Sequence, residues 1–257
     1  MEQVLARPCA EKRSKLGYIT KKLHIPKPPK RLYNIIAIIA AFHLLWSKKR
    51  YAEFYAKRTD VKALLDPREA VGGLWEEMGR AQFEFLVSKG LEPQHVLLDL
   101  GCGCLRGGLW FIRHLQTGNY WGIDISSNLL KAGRQFLAQE ELESKKPHLI
   151  LTHDLRFEEL AGQKFDYILA QSVFTHMPET DIEECFQNLH KVLKPSGAFF
   201  ATFNEGHRKG IIAKTRTNFR YPFPFFQSLC EKYGYRCQMD NSFAHPRGQK
   251  MLLIQFR

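Results

Sequence analysis

The sequence predicts an α/β protein: a doubly wound, mostly parallel seven-stranded sheet with a terminal antiparallel hairpin, preceded by an N-terminal helical extension. Three observations carry this. From residue 95 onward, short apolar runs alternate with helical stretches, the pattern of successive βαβ units. A glycine-rich turn follows the first apolar run and opens the first of those helices. The last two apolar runs have no helix between them, so they read as antiparallel neighbours.

Of the 257 residues, the first 58 hold 14 Lys+Arg and 3 Asp+Glu, whereas the remainder hold 24 and 23. The net charge of +12 therefore belongs to an arm, not to the surface of the globular part, and nucleic acid is not the expected partner. Residues 1–31 are basic and punctuated by Pro, without an apolar period. Ile35 to Trp46 is apolar except for His43. As a helix it spans about 18 Å, short of a hydrocarbon core of about 30 Å. No small-residue cleavage site follows it, so it does not read as a signal peptide, and a cytoplasmic location is expected. Two readings stay open. The run packs as a buried helix, or residues 27–50 lie on an anionic membrane surface, with Lys27, Lys30 and Arg31 before it and Lys48, Lys49 and Arg50 after it.

The expected division is a basic arm with a short apolar helix over 1–58, a helical lid or cap over 59–94, and a nucleotide-binding domain over 95–257. In the cap, Glu76, Glu77, Arg80 and Glu84 interleave with Leu74, Trp75, Met78, Phe83, Phe85 and Leu86, and Gly90 closes the run. Beyond it the strands are Val96–Leu100, Tyr120–Asp124, His148–Thr152, Phe165–Ala170 and Ala198–Phe203, then the hairpin Tyr235–Met239 and Met251–Phe256. Helices are expected over Arg106–Leu115, over Ser127–Glu140 with Ser126 or Ser127 as N-cap, and over Asp181–Leu193, the last stopped by Pro195 and Gly197. The six Cys form no regular framework, and no metal site is expected.

The turn Asp99-Leu-Gly-Cys-Gly-Cys-Leu-Arg-Gly-Gly108 lets the backbone bend sharply and approach a ligand closely. The dinucleotide fingerprint G-x-G-x-x-G/A fails at Arg106. What fits instead is Asp-x-Gly-x-Gly, with Asp124 ending the next strand where an acid can accept both hydroxyls of a ribose. With VLLDLGCG at 96–103, YWGID at 120–124, FDYILAQSVFTHMP at 165–178 and LKPSGAFFATF at 193–203, the chain resembles the class I S-adenosylmethionine-dependent methyltransferases. The family often has Gly two residues after Gly103, where this chain has Leu105.

The resemblance implies S-adenosyl-L-methionine as cofactor and assigns roles. Gly101 and Gly103 approach its methionine portion, Asp99 orders that loop and meets the amino end, and Asp124 holds the ribose. Asp154 and Leu155 meet the adenine, while Gln171 and Ser172 line the methyl-transfer end. The catalytic candidate is His176, with Glu205 and His207 as further bases; His245 and Arg247 are candidate acceptor contacts. The acceptor is expected to be a small molecule, a glycan or a lipid-linked intermediate, met by in-line methyl transfer. Tyr221–Phe226 reads either as an aromatic wall of that pocket or as core. An RNA methyltransferase, a catalytically inactive cofactor-binding module attached to membrane, and a nicotinamide oxidoreductase are the alternatives.

Overall fold

The computed structural model describes residues 51–160, 162–206 and 218–257; the apolar run at 35–46 and His207 lie outside these. The sheet has the strands β1 (Leu97–Leu100), β2 (Tyr120–Asp124), β3 (His148–Leu151), β4 (Phe165–Ala170), β5 (Leu193–Phe203), β6 (Tyr235–Asp240) and β7 (Lys250–Phe256). Their spatial order is β3-β2-β1-β4-β5-β7-β6. The first five run parallel, β7 pairs antiparallel with both β5 and β6, and the chain reverses its spread between β3 and β4. Ligands in such sheets sit beyond the strand carboxyl ends at that reversal, which here falls beside β1.

Every residue of β1 is buried, as expected of a central strand covered on both faces. Leu98, Leu100, Ile168, Phe199 and Ala201 point into one half of the core, and Leu97, Leu169 and Phe200 into the other. The helices are α1 (Tyr51–Leu65), α2 (Pro67–Ala70), α3 (Trp75–Ser88), α4 (Gly108–His114), α5 (Ser127–Gln139), α6 (Glu179–Asn188) and α7 (Phe223–Tyr233). In α5, Leu129, Leu130, Gly133, Phe136 and Leu137 recur at helical spacing and are buried. Its N-cap is Ser126, whose Oγ accepts from the Leu129 N–H at 3.2 Å. Asp60 of α1 reinforces that cap: one carboxylate oxygen accepts from Ser126 Oγ at 2.5 Å and from the Asn128 N–H at 3.1 Å.

Two boundaries differ most from the sequence expectation, and one reading left open is decided. Helix α1 runs through position 58, so no break separates an arm from a cap there. Strand β5 begins at Leu193, not at Ala198, and passes through Pro195 and Gly197. Its register against β4 jumps from the pair Phe165 and Leu193 to the pair Tyr167 and Ala198, an irregularity that accommodates a proline with no N–H to donate. The Tyr221–Phe226 cluster is core: Tyr221 and Phe226 are buried against Phe174, Phe186 and Phe203. No described helix is long and apolar enough to cross a membrane.

Candidate cofactor and acceptor site

A cavity of about 660 Å³ opens at the carboxyl ends of β1, β2 and β4, under α1 and α2. That volume lies within the usual range for small-molecule sites. The loop after β1 forms its floor. The N–H groups of Gly101 and Cys102 donate to the Ile123 carbonyl at 2.8 and 3.1 Å, which ties the loop to the end of β2. Gly101 and Gly103 have φ of 75° and 58°. A Cβ on Gly103 would lie 2.6 Å from Val71 Cγ1, so the loop is also closed from above. Leu105 has φ 70° and a fully buried side chain. The left-handed turn is thus formed without a glycine, and the apolar side chain serves as its anchor.

Asp124 joins the loop to its neighbours. One carboxylate oxygen accepts from the Gly103 N–H at 2.8 Å, and the other from the Ser126 N–H at 2.8 Å. Burial pushes the group up to about 6 despite these bonds. The Ile125 N–H bonds the carboxylate as well, and of about four acceptor positions one remains for a sugar hydroxyl. Asp99 is more deeply enclosed: it accepts from Tyr120 Oη at 2.7 Å, and burial raises it to about 7.

Gln171 and Ser172 follow β4 on the cavity wall. Ser172 has φ 60°, and its peptide is gripped on both sides: its N–H donates to Thr202 Oγ1 at 2.6 Å, and its carbonyl accepts from Thr175 Oγ1 at 2.8 Å. This is local strain overdetermined by its surroundings, a feature common at functional sites. Behind Gln171 lies His245, which is buried and does not line the cavity. Its Nδ1 accepts from the Arg247 N–H at 3.0 Å, so Nε2 carries the proton. The amide end of Gln171 lying 2.7 Å from Nε2 is therefore its oxygen, which leaves the buried and otherwise unpartnered end as the donor.

Asp154 and Leu155 lie at the far end of the cavity. The Asp154 carboxylate is held by Arg156, through Nε at 3.0 Å and Nη2 at 2.6 Å, and the Leu155 N–H donates to Glu184 at 3.0 Å. His176 lines the cavity and stacks on Tyr55 of α1, with centroids 5.4 Å apart. Glu205 is exposed and does not line the cavity. Arg247 lines it and donates through Nη2 to the Gly72 carbonyl.

The structure thus brings Asp99, Gly101, Gly103, Asp124, Asp154, Leu155, Gln171, Ser172, His176 and Arg247 to one cavity. It adds residues the sequence reading did not propose: Tyr51, Tyr55, Arg58 and Lys62 from α1, and Arg106 from the loop. The one available hint was the spacing of Tyr51 and Tyr55, which places both on one helix face. Burial raises both phenols, Tyr55 to about 12, so each stays protonated. Among the described residues no cluster is suited to a metal ion.

Residues 98–199 match the family described as methyltransferase domain. The chain is 30% identical over 128 residues to 2-phytyl-1,4-naphtoquinone methyltransferase of Trichormus variabilis, covering 48% of this chain and 50% of that protein. It is 31% identical over 135 residues to methyltransferase GfsG of Streptomyces halstedii, covering 52% and 44%. The chain spans half or less of the length of these curated relatives. Among solved structures, magnesium protoporphyrin IX methyltransferase of Synechocystis with bound SAM is similar in fold, with a TM-score of 0.61 at 13% identity, covering 82% of this chain and 99% of that one.

Proposed function

We propose that the chain is an S-adenosylmethionine-dependent enzyme that methylates a small-molecule, glycan or lipid-linked acceptor, a reading supported by the match of residues 98–199 to the methyltransferase-domain family and by the fold shared with a solved methyltransferase. The observation that carries this reading is the position of Asp124: on the cavity wall, at the end of β2, bonded to the N–H of Gly103 in the glycine loop. One relative is named for a quinone acceptor, 2-phytyl-1,4-naphtoquinone, which supports a small acceptor.

The residues present fit the cofactor. The cavity is large enough, the Asp124 carboxylate on its wall keeps acceptor capacity for a sugar hydroxyl, and one end of the Gln171 amide is buried without a protein partner. Asp124 would hold the ribose, the Gly101–Gly103 loop and Asp99 the methionine portion, and Asp154 with Leu155 the adenine end. Bound there, the cofactor supplies an already activated methyl group. The chain's own work is then alignment and exclusion of water, for which proximity alone supplies several kcal/mol. Tyr51 and Tyr55 of α1 line the cavity, and His176, stacked on Tyr55, would accept a proton from an acceptor hydroxyl. A carboxylate or thiolate acceptor needs no such base.

Titration calorimetry tests the reading. S-adenosylmethionine and its demethylated product should bind in the micromolar range, and a nicotinamide dinucleotide should not. Tight dinucleotide binding without the adenosyl ligands would overturn it. A labelled-methyl survey of small-molecule, lipid, protein and RNA fractions then identifies the acceptor, and labelling confined to RNA would refute the acceptor class.

A further inference from the structure

The seam between α7 and β6 holds two thiols that methyl transfer does not use. On α7, Phe226, Leu229 and Cys230 recur at helical spacing and are buried. On β6, Tyr235, Cys237 and Met239 alternate onto the face that packs against the same part of the core. The helix ends at Gly234, whose φ of 81° turns the chain directly into β6. Cys230 and Cys237 thus meet across a tight turn, and the Cys230 thiol donates a hydrogen bond to the Cys237 sulfur. The two differ in exposure: Cys230 is 2% exposed, whereas Cys237 is half-buried on the edge strand of the sheet. They differ in acidity as well. The donated bond holds the Cys237 thiol below its ordinary value, and it raises that of Cys230. Arg257, which donates through Nε to the Tyr235 carbonyl at 3.0 Å, favours negative charge beside them. An accessible, acidic thiol next to a buried second thiol is the arrangement that oxidation selects. Burial instead pushes the thiols of Cys102, Cys104 and Cys185 up, which leaves them poor nucleophiles.

We propose that Cys230 and Cys237 form a reversible oxidation site, a dithiol that a low-molecular-weight disulfide converts to an intramolecular disulfide. Cys237, as the thiolate, attacks one sulfur of that oxidant. The oxidant's S–S bond breaks, and the half that leaves takes up the proton Cys237 has released. Cys230 then gives up its proton and attacks the Cys237 sulfur, and the second half departs with that proton. One S–S bond has formed and one has broken; the two protein thiols are oxidised by two electrons and the oxidant is reduced to two thiols. The product clips the last turn of α7 to β6 around Gly234. Neither cysteine lines the cavity, so the site stands independently of the cofactor reading.

The experiment exposes the reduced, folded full-length chain to oxidised glutathione, blocks remaining thiols with N-ethylmaleimide in acid, and maps tryptic peptides without reduction. Cleavage after Lys232 and Arg236 puts the two cysteines on separate peptides, so the link is read directly. The wild type should give these peptides joined, lighter by two hydrogens and free of glutathione, and dithiothreitol should separate them. Cys230→Ser should retain glutathione on Cys237, because the attacking thiol is gone. Titration against glutathione redox buffers should reach half-oxidation at an oxidised-to-reduced ratio at least about 10-fold lower for the folded chain than in urea, since the fold supplies the effective concentration. Glutathione retained on Cys237 of the wild type, both cysteines recovered as maleimide adducts, or a link to another cysteine would each overturn the proposal. So would equal midpoints in buffer and urea. The wild-type map and titration decide the matter by themselves if the serine variant folds poorly.

Discussion

Replacing Leu105 should separate two opposing contributions at the glycine loop. Its backbone sits at φ 70°, a conformation that costs an L-residue about 1–2 kcal/mol. Its side chain is fully buried, with Cδ2 2.8 Å from the place a Cβ on Gly108 would occupy and Cγ 3.1 Å from that on Gly133. Two glycines cannot extend into a vacated space, so truncation leaves most of the hole open. Leu105→Ala should therefore cost toward the upper end of the usual range, about 4–5 kcal/mol. Burial outweighs strain, which is why leucine is tolerated here. Leu105→Gly loses the same packing but relieves the backbone, and should be more stable than the alanine variant by about 0.5–1 kcal/mol. At an ordinary position the order is reversed. Urea unfolding of the three proteins measures both differences. An alanine variant as stable as the glycine variant, or one costing less than about 1 kcal/mol, would refute the assignment of a left-handed, packed anchor.

Other consequences are as direct. Burial holds Asp124 near 6 and Asp99 near 7, and both must be ionised to offset a cationic cofactor. Affinity for S-adenosylmethionine should therefore rise with pH through that interval, and more steeply than for its uncharged thioether product; equal slopes in calorimetry would contradict this. Gly103→Ala places a Cβ 2.6 Å from Val71 Cγ1 at φ 58° and should cost about 1–3 kcal/mol in thermal or urea unfolding, partly recovered by adding Val71→Ala. Burial, with Arg106 and Arg247 nearby, depresses His245 to about 4, so its imidazole NMR shifts should stay those of a neutral ring above about pH 5; titration near 6.5 would show that the ring is not enclosed.

Most of what was legible from sequence is local. The glycine loop, the acid ending β2, the parallel succession and the terminal hairpin each follow from neighbours in the chain, and each is in place. What was not legible depends on partners far along it. Arg106 registered only as a mismatch to a dinucleotide fingerprint, because the carbonyls it holds are more than thirty residues earlier. His245 read as an acceptor contact, yet the hairpin carries it behind Gln171, whose amide it orients. The continuity of α1 past position 58 was hidden by a charge shift that marks composition, not structure. The start of β5 was hidden by a proline that the irregular register with β4 absorbs.

The most direct trial of the account is a double-mutant cycle between Asp124 and the sugar it is said to hold. S-adenosylhomocysteine and its 2′-deoxy analogue are titrated into the wild type and Asp124→Asn. Loss of the hydroxyl should weaken wild-type binding by about 10-fold or more and the variant far less, because the partner has already been altered. An equal loss in both proteins would place the ribose elsewhere and contradict the central claim.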